Sequence, residues 1–351
     1  MKQTKQIDVG GVKIGGGAKI AVQSMTNTDT RDVKATLRQI ADLNDAGCHI
    51  VRCAVPDAEA AEALRAICRE SPLPVVADIH FDYRLALAAI EAGVHKIRLN
   101  PGNIGGADRV HEVVRAAKER GIPIRIGVNS GSVERHILEK HGGPTPDAMV
   151  ESALYHVKLL NDCNFDDICL SMKSSSVPDT MRAYLLAHEK TDYPLHLGVT
   201  EAGTEYMGTV KSAAGIGGLL ALGVGDTIRV SLTDDPVREI HAAYSILKAV
   251  GRNDDGVNVV SCPTCGRTRI DLIRIAKEVE QRCASVTGKR LKVAVMGCAV
   301  NGPGEAREAD LGIAGGDGEG LLFRKGEILR KVPQAQLVDA LMEEIAKFNE
   351  A

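Results

Sequence analysis

One unit recurs from about residue 20 to residue 250, and it limits the folds that are open to this chain. In each unit a short β-branched run leads into a loop and then into an amphipathic helical stretch, often with a glycine before the next run. Strands that alternate with helices predict a parallel sheet, and eight such units are typical of a (β/α)8 barrel. The eight candidate strands are Ile20–Ser24, Ile50–Val55, Val75–Ile79, Lys96–Asn100, Ile124–Asn129, Ile168–Lys173, Leu195–Thr200 and Thr227–Leu232.

An open, doubly wound sheet is the competing architecture. Such a sheet would usually carry a glycine-rich dinucleotide fingerprint after its first strand, and none follows Ile20–Ser24. The composition suits the barrel, because 36 glycines and only 3% aromatic residues are compatible with many tight turns and with helices packed closely on strands. We therefore expect an α/β chain with a (β/α)8 TIM barrel over residues 1–250.

A second, smaller α/β domain is expected over residues 251–351. Residues 251–258 are polar and rich in Gly, Asn and Asp, which predicts a linker. The elements predicted beyond it are a strand at Val257–Ser261, a helix near Arg269–Ser285, a strand at Leu291–Met296, a glycine-rich stretch and a final helix at Pro333–Phe348.

Charge and cysteine usage limit the partners and the compartment. The net charge of −3 gives no global basic field, so the composition does not favour nucleic acid as a partner. The polar start predicts no secretory leader, and no run approaches the roughly 18 apolar residues of a membrane span. Nine cysteines in such a chain predict reduced thiols or metal ligands in the cytoplasm rather than a disulfide framework.

The strongest local signal is Cys262-Pro263-Thr264-Cys265-Gly266, followed much later by Gly297-Cys298. Both cysteine positions follow β-like runs and lie in Gly/Pro turns, where backbone amides can face a sulfur. A CxxC pair holds two thiolates on one side of a turn, as metal chelation requires. The other cysteines lie in strand or helix patterns and are expected to be core residues. They are Cys48, Cys53, Cys68, Cys163, Cys169 and Cys283.

Three chemistries compete for the clustered thiols. Zinc would require four ligands, and a second CxxC pair is missing. A redox dithiol is expected in a thioredoxin-like unit, which this pattern does not resemble. An iron–sulfur cluster with three cysteines and one other ligand fits best. The loop after Cys298 returns Glu305 towards the thiols, and a weak carboxylate ligand could be displaced by substrate. Alternatively, Glu305 is a surface carboxylate.

Cations recur towards the carboxyl ends of the candidate barrel strands, at Arg52, Arg98, Arg125, Lys173 and Arg229. A charge inside a strand is costly unless it is paired or meets an anion. One or two such residues could form buried ion pairs. Five at the end where barrel active sites lie predict a multiply charged ligand, and a diphosphate is the natural candidate, with Ser231 as an additional donor.

Further polar side chains lie at the same level of the predicted barrel. Asp78 and Glu201 could handle protons or bind hydroxyl groups, although each could instead pair with an arginine. The full set at this level is Asp78, His80, Asn100, Asn129 and Glu201.

Five segments together resemble one known family, the 4-hydroxy-3-methylbut-2-en-1-yl diphosphate synthases of the methylerythritol phosphate pathway, in their bacterial two-domain form. The similarity spans essentially the whole chain, and the loop from Gly297 to Ala306 is its most specific part. The five segments are Val22–Thr28, Ala77–Phe81, Leu197–Gly203, Cys262–Gly266 and Met296–Ala306.

The resemblance implies a reaction, a cofactor and partners. The expected reaction opens the ring of 2-C-methyl-D-erythritol 2,4-cyclodiphosphate reductively and removes water to give 4-hydroxy-3-methylbut-2-enyl diphosphate. Flavodoxin or ferredoxin would deliver the electrons. One 4Fe-4S cluster would be held by Cys262, Cys265, Cys298 and Glu305. A homodimer would share each active site between its subunits.

The same resemblance assigns roles at the barrel mouth. The five strand-end cations and Ser231 would bind the diphosphate. The residues around the carbon skeleton would be Asp78, His80, Asn129, Glu201 and Asn301.

Three other functions remain open from the residues alone. The first is a barrel that binds a pterin or a sugar phosphate and carries a structural zinc domain. The second is an iron–sulfur sensor or scaffold, which would not need five cations at the strand ends. The third, a radical enzyme that uses S-adenosylmethionine, would need the usual three-cysteine run, which this chain lacks.

Overall fold

The computed structural model forms two compact units, Met1–Arg252 and Asn253–Ala351. None of the helices in the described ranges is both long enough and apolar enough to cross a membrane. The structure describes residues 2–99, 106–253, 255–286, 288–298 and 306–348.

The first unit begins with an antiparallel hairpin that the sequence analysis did not predict. Its strands are β1 (Ile7–Val9) and β2 (Val12–Ile14). Their buried side chains pack against Ala21, Ile50 and Cys169, which lie near the amino ends of three barrel strands. The hairpin therefore covers the amino end of the barrel with apolar side chains, which stabilise it by removing this surface from water.

Eight parallel strands follow, and all eight predicted runs are present. The strands are β3 (Ala21–Met25), β4 (Ile50–Ala54), β5 (Val75–Asp78), β6 (Lys96–Leu99), β7 (Ile124–Asn129), β8 (Ile168–Lys173), β9 (His196–Leu197) and β10 (Thr227–Ile228). Their hydrogen-bonded order is β8-β7-β6-β5-β4-β3-β10-β9, and a parallel bridge between Leu170 and Leu195 joins the two ends. The (β/α)8 barrel prediction is confirmed, although the last two strands are shorter than expected.

Helices connect the strands, and polar caps fix where many of them begin. The side chains of Asp57 and Ser176, for example, accept hydrogen bonds from backbone N–H groups of the first helical turn. A π-helical segment, Ala213–Gly217, separates the eighth and ninth helices. The helices are α1 (Val33–Asp45), α2 (Ala58–Glu70), α3 (Tyr83–Ala92), α4 (Ala107–Arg120), α5 (Arg135–His141), α6 (Pro146–Asn161), α7 (Val177–Lys190), α8 (Glu205–Ser212), α9 (Gly218–Ala221) and α10 (Pro236–Ala249).

The second unit is a five-stranded sheet in sequential order, with helices packed on one face. The first three strands are parallel, and the last two are antiparallel to their neighbours. Its elements are β11 (Gly256–Ser261), α11 (Leu272–Cys283), β12 (Arg290–Met296), β13 (Leu311–Gly315), β14 (Glu319–Arg324), β15 (Glu327–Pro333) and α12 (Leu337–Lys347).

Two predictions for this unit were incomplete. The predicted linker ends early, because β11 already begins at Gly256. The segment described only as a glycine-rich stretch contains three strands, β13, β14 and β15. A Cβ at Gly312 would lie 2.3 Å from the Phe323 ring, so this glycine makes room for a side chain on the neighbouring strand.

Candidate active site

The parallel register brings the strand-end charges together. Asp78 on β5 pairs with Arg98 on β6, and Arg98 pairs with Arg125 on β7. A cavity of about 130 Å³ lies at this end of the barrel. Nine of the residues predicted from the sequence line it: Arg52, Asp78, His80, Arg98, Arg125, Asn129, Lys173, Arg229 and Ser231. Ser171, Val199 and Thr200 also line it, and the sequence analysis did not single them out.

The remaining predicted site residues are placed differently. Glu201 is exposed and is not among the lining residues. Its φ of 52° lies in the left-handed region, which is uncommon for a non-glycine residue and is often found at functional sites. Asn100, Asn301 and Glu305 lie outside the described residues.

The carboxylate of Asp78 lies among two arginines and a histidine. It lies 3.2 Å from Arg98 Nη1, 3.6 Å from Arg52 Nε and 3.4 Å from His80 Nε2. Burial alone would raise the pKa of Asp78, but the charge of Arg52, the hydrogen bond from His80 and the charge of Arg98 lower it well below its usual value. Asp78 is therefore ionised at neutral pH, and it holds two of the arginines.

Arg125 and Lys173 have no comparable ion-pair partner in the part of the chain that the structure describes. Arg125 is 1% exposed, and its Nε and Nη1 have no hydrogen-bond partner among the described residues. Burial, together with the charge of Arg98, lowers the pKa of Arg125 to about 10. Burial and the neighbouring arginines also hold the pKa of Lys173 well below its usual value. Buried cations without partners are costly, so this arrangement favours a bound anion.

Two glycines provide the space that the side chains of Arg98 and Lys173 occupy. A Cβ at Gly127 would lie 2.4 Å from Arg98 Nε, and a Cβ at Gly198 would lie 2.6 Å from Lys173 Nζ. Real Cβ atoms essentially never approach other atoms so closely. Glycine at these positions therefore allows the cationic side chains to lie against the barrel wall.

The sequence analysis missed two buried charges in the barrel, one at the start of β6 and one on α10. Lys96 on β6 is fully buried, and its Nζ lies 3.3 Å from Gln23 Oε1. Burial lowers the pKa of Lys96 to about 7. Its position two residues before Arg98 places it on the same face of the strand, a signal that was available in the sequence. Glu239 on α10 is also buried, and it interrupts an apolar helix face that includes Ala243.

The predicted cysteine ligands follow adjacent strands of the second unit. Cys262 follows β11 and Cys298 follows β12, and these strands pair in parallel with Ser261 opposite Val295. The backbone N–H of Gly297 donates to Cys262 Sγ at 3.2 Å, and the N–H of Arg269 donates to the Gly297 carbonyl at 2.9 Å. The CxxC turn and the Cys298 turn therefore lie at the same edge of the sheet.

The three thiols differ in exposure. Cys298 is buried, Cys262 is half-buried and Cys265 is exposed. A backbone N–H from Arg267 is the main cause of a lowered pKa for the Cys265 thiol. Within the described ranges, no three His, Cys, Asp or Glu side chains lie close enough to bind one metal ion.

The surroundings of these thiols fit an iron–sulfur cluster, because amide N–H groups directed at sulfur stabilise thiolate ligands. Of the other cysteines, four are buried as expected, and Cys68 and Cys163 are half-buried. The four buried ones are Cys48, Cys53, Cys169 and Cys283.

Fold and site together define a class of protein: a (β/α)8 barrel with a cationic mouth, followed by a small α/β unit that carries three cysteines at one sheet edge. Comparison with known families specifies it further. Residues 4–244 match the GcpE TIM-barrel domain, and residues 258–347 match the GcpE protein C-terminal domain. The chain belongs to the GcpE family.

Two relatives have nearly the same length as this chain. A protein of Geobacter sulfurreducens is 61% identical over 346 residues, which are 99% of this chain and 98% of the relative. A protein of Clostridium perfringens is 61% identical over 342 residues, 97% of this chain and 98% of the relative. Both are named 4-hydroxy-3-methylbut-2-en-1-yl diphosphate synthase (flavodoxin).

A solved structure shows the barrel fold at much lower identity. A truncated 3-deoxy-D-arabino-heptulosonate 7-phosphate synthase from Thermotoga maritima superposes with a TM-score of 0.50 at 14% identity. The match covers 71% of this chain and 94% of that structure, so the likeness concerns the fold alone.

Proposed function

We propose that this chain converts 2-C-methyl-D-erythritol 2,4-cyclodiphosphate to 4-hydroxy-3-methylbut-2-enyl diphosphate, with flavodoxin as electron donor. The observation that carries the proposal is the cationic mouth, in which buried Arg125 leaves two nitrogens without partners among the described residues. The family and the names of relatives at 61% identity support the same reaction.

The cationic mouth suits both the substrate and the product. Among the described lining residues there are five cations and the carboxylate of Asp78, and Glu239 pairs with Arg229 at the edge of the cavity. A diphosphate would offset the positive charges that remain and that otherwise repel one another. When the ring opens, negative charge develops on the departing diphosphate oxygen. Fixed guanidinium and ammonium groups stabilise such charge without reorganising, which lowers the barrier.

The rest of the cavity would orient the carbon skeleton. His80, Asn129, Thr200 and Ser231 offer neutral or switchable hydrogen-bonding groups beside the cations. Asp78 remains ionised, so its role would be to hold Arg52 and Arg98 rather than to donate a proton. We assign Glu201 and Asn301 to the substrate from the family resemblance, and Asn100 from its place at the end of a predicted barrel strand.

We further propose that Cys262, Cys265, Cys298 and Glu305 would hold one 4Fe-4S cluster. The common sheet edge and the amide N–H groups near Cys262 and Cys265 support the thiol assignment. Glu305 is assigned from its place in the loop after Cys298. When bound, the cluster would supply low-potential electrons and a Lewis-acidic iron for a substrate oxygen.

A homodimer that shares the active site between subunits is a further proposal. Tyr206, Met207 and Val210 of α8 are exposed, and this helix begins shortly after Glu201. A second copy that covered this apolar surface would also help to exclude water from the mouth. Light scattering on the cluster-loaded protein would test the dimer, and a monomer would contradict it.

We also propose a reducing, cytoplasmic location, which is supported by nine cysteines that form no disulfide.

Anaerobic reconstitution followed by turnover tests the function. The reconstituted protein should be brown, contain iron and sulfide, and consume the cyclic diphosphate with a chemical reductant. Flavodoxin should then replace the chemical reductant. A colourless protein that binds zinc, or a loaded protein that does not turn over, would contradict the proposal. The first result would favour the zinc-containing barrel considered above.

Glu305→Ala tests the fourth ligand separately. We expect the cluster to assemble but to be labile, with turnover severely reduced, because three thiolates remain while one coordination position is lost. Iron content over time and turnover would be measured together. Normal turnover by this variant would refute the assignment of Glu305.

A further inference from the structure

A buried carboxylate, Glu239 on α10, connects three parts of the barrel at the edge of the cavity. Its side chain accepts hydrogen bonds from Ser24 Oγ at 3.1 Å, from the Leu232 backbone N–H at 3.0 Å and from Arg229 Nη2 at 3.3 Å. The residue is only 3% exposed. Helix α10, strand β3 and the segment after β10 therefore meet at one charged side chain.

Two of these contacts concern residues of the site itself. Arg229 lines the cavity, and Leu232 directly follows Ser231, which also lines it. Strand β10 ends at Ile228, so this segment continues beyond the regular ladder. The N–H of Arg229 donates to the Leu197 carbonyl at 3.0 Å, whereas the N–H of Leu232 depends on Glu239. One carboxylate thus fixes both the Arg229 side chain and the backbone beside Ser231.

The contact with Glu239 involves only one nitrogen of the Arg229 guanidinium, so its other donors can bind a ligand. Both carboxylate oxygens face Nη2, at 3.3 Å and 3.5 Å. The Nε of Arg229 is buried and has no hydrogen-bond partner within the described ranges. A guanidinium held at one nitrogen keeps its plane fixed while its other donors can point to a ligand.

We propose that Glu239 is a positioning residue for the diphosphate, which aims Arg229 and Ser231 at the ligand without touching it. The inference rests on the proposed function, since it takes the cyclic diphosphate as the ligand. A precise orientation matters because ordering donors before binding removes an entropic cost from the association.

The sign of the change on mutation separates positioning from simple charge compensation. A carboxylate near an anion site repels the anion, so if Glu239 only neutralised charge, its removal would tighten binding. If Glu239 positions Arg229, its removal would weaken binding despite the more positive field. The two roles therefore predict opposite changes in the Kd of the cyclic diphosphate.

Calorimetric titration of the cluster-loaded protein with the cyclic diphosphate measures this change. Glu239→Gln should raise Kd by about tenfold, the usual cost of losing a charge-assisted hydrogen bond, and KM should rise more than kcat falls. In an Arg229→Gln background, the same substitution should have little further effect. The matched control is Glu205→Gln, an exposed carboxylate paired with Arg238 of α10 at 2.7 Å, which should leave Kd unchanged.

Several results would overturn the proposal. They are an unchanged or lower Kd for Glu239→Gln, and an equal loss of affinity in the Arg229→Gln background. If Glu239→Gln does not fold, Ser24→Ala replaces it, because it removes only one donor to Glu239. If Ser24→Ala weakens the affinity several-fold, and if this effect disappears in the Arg229→Gln background, positioning is supported. An unchanged affinity of Ser24→Ala would refute it.

A parallel titration with inorganic pyrophosphate separates this inference from the proposed function. Wild-type protein that binds pyrophosphate but not the cyclic diphosphate would refute the proposed function. The Glu239 comparison would then be carried out with pyrophosphate, with the same expected loss of affinity.

Discussion

Two groups of side chains follow the carboxyl ends of parallel strands: those of the barrel mouth, and those of the sheet edge that carries Cys262, Cys265 and Cys298, here called the cysteine edge. The side chains of the two regions are organised to different degrees. In the mouth, cations from several strands are buried and oriented by carboxylates such as Asp78 and Glu239. At the cysteine edge, Cys265 is exposed while Cys298 is buried, and one amide contact orients Cys262.

This difference reflects the chemistry of the two ligands. A diphosphate is bound by hydrogen bonds, which reward donors that are fixed in advance. Thiolates form strong bonds to iron, so binding the metal can itself supply the free energy that orders its ligands. We therefore expect the mouth to be formed without its ligand and the thiol geometry to depend on the cluster.

The largest expected effect tests the cysteine edge. Cys298→Ser should prevent stable cluster assembly and lower turnover by more than about 10³-fold, because the electrons have no other route to the substrate. Iron and sulfide analysis with an anaerobic turnover assay would measure this. Cys283→Ala is the control, since Cys283 is buried on α11, and it should retain the cluster. Full cluster content in Cys298→Ser would show that Cys298 is not needed as a cluster ligand.

The next effect tests whether the buried cations of the mouth bind the ligand at a cost to the stability of the fold. Arg125→Met should weaken binding of the cyclic diphosphate by about 2–4 kcal/mol. The same substitution should raise the free energy of unfolding, because it removes a buried cation without a partner among the described residues. Calorimetry and chemical unfolding would measure the two changes. Weaker binding together with a lower stability would show that Arg125 also supports the fold.

A smaller effect concerns Lys96 and pH. Its pKa falls from 10.5 in the unfolded chain to about 7 in the folded protein, chiefly through burial. Between these values the unfolded state binds the extra proton, so the contribution of Lys96 to stability rises with pH from about 7 to about 10.5. At pH values below 7, Lys96→Met should therefore be more stable than wild type by about 1–3 kcal/mol.

Urea unfolding of both proteins across this pH range would measure the difference. The advantage of Lys96→Met should shrink as the pH approaches 10.5. The exposed Lys158 on α6 provides the control, because Lys158→Met should change stability little at any pH. A constant difference between Lys96→Met and wild type would exclude the proton linkage.

The smallest effect concerns the space around Arg98. Gly127→Ala should weaken binding of the cyclic diphosphate by about 1 kcal/mol, because the new Cβ would displace the guanidinium. Gly131→Ala is the matched substitution in the turn directly after β7, where an added Cβ meets nothing within 4 Å. Its affinity should equal that of wild type. Equal affinities for all three proteins would mean that Arg98 adjusts without loss.

Much of this architecture was predictable because its signals are local. β-branched runs and helical periodicity placed the eight strands, and the strand-end cations predicted an anion site. The three cysteines were recognisable from their turns. The three strands after the Cys298 loop were not predicted, because glycine is uncommon inside strands and several glycines lie in this segment. The facing Phe323 ring accounts for Gly312.

Local sequence patterns are therefore enough to predict the strands and helices and the chemical character of each strand end. The folded structure is needed to see that Leu170 and Leu195 close the barrel, and that Ser24 and Glu239, 215 residues apart, share a hydrogen bond beside Arg229. The two kinds of information differ in their range along the chain. Backbone periodicity is set by neighbouring residues, whereas the partner of a buried charge is chosen by the packing of elements distant in the chain.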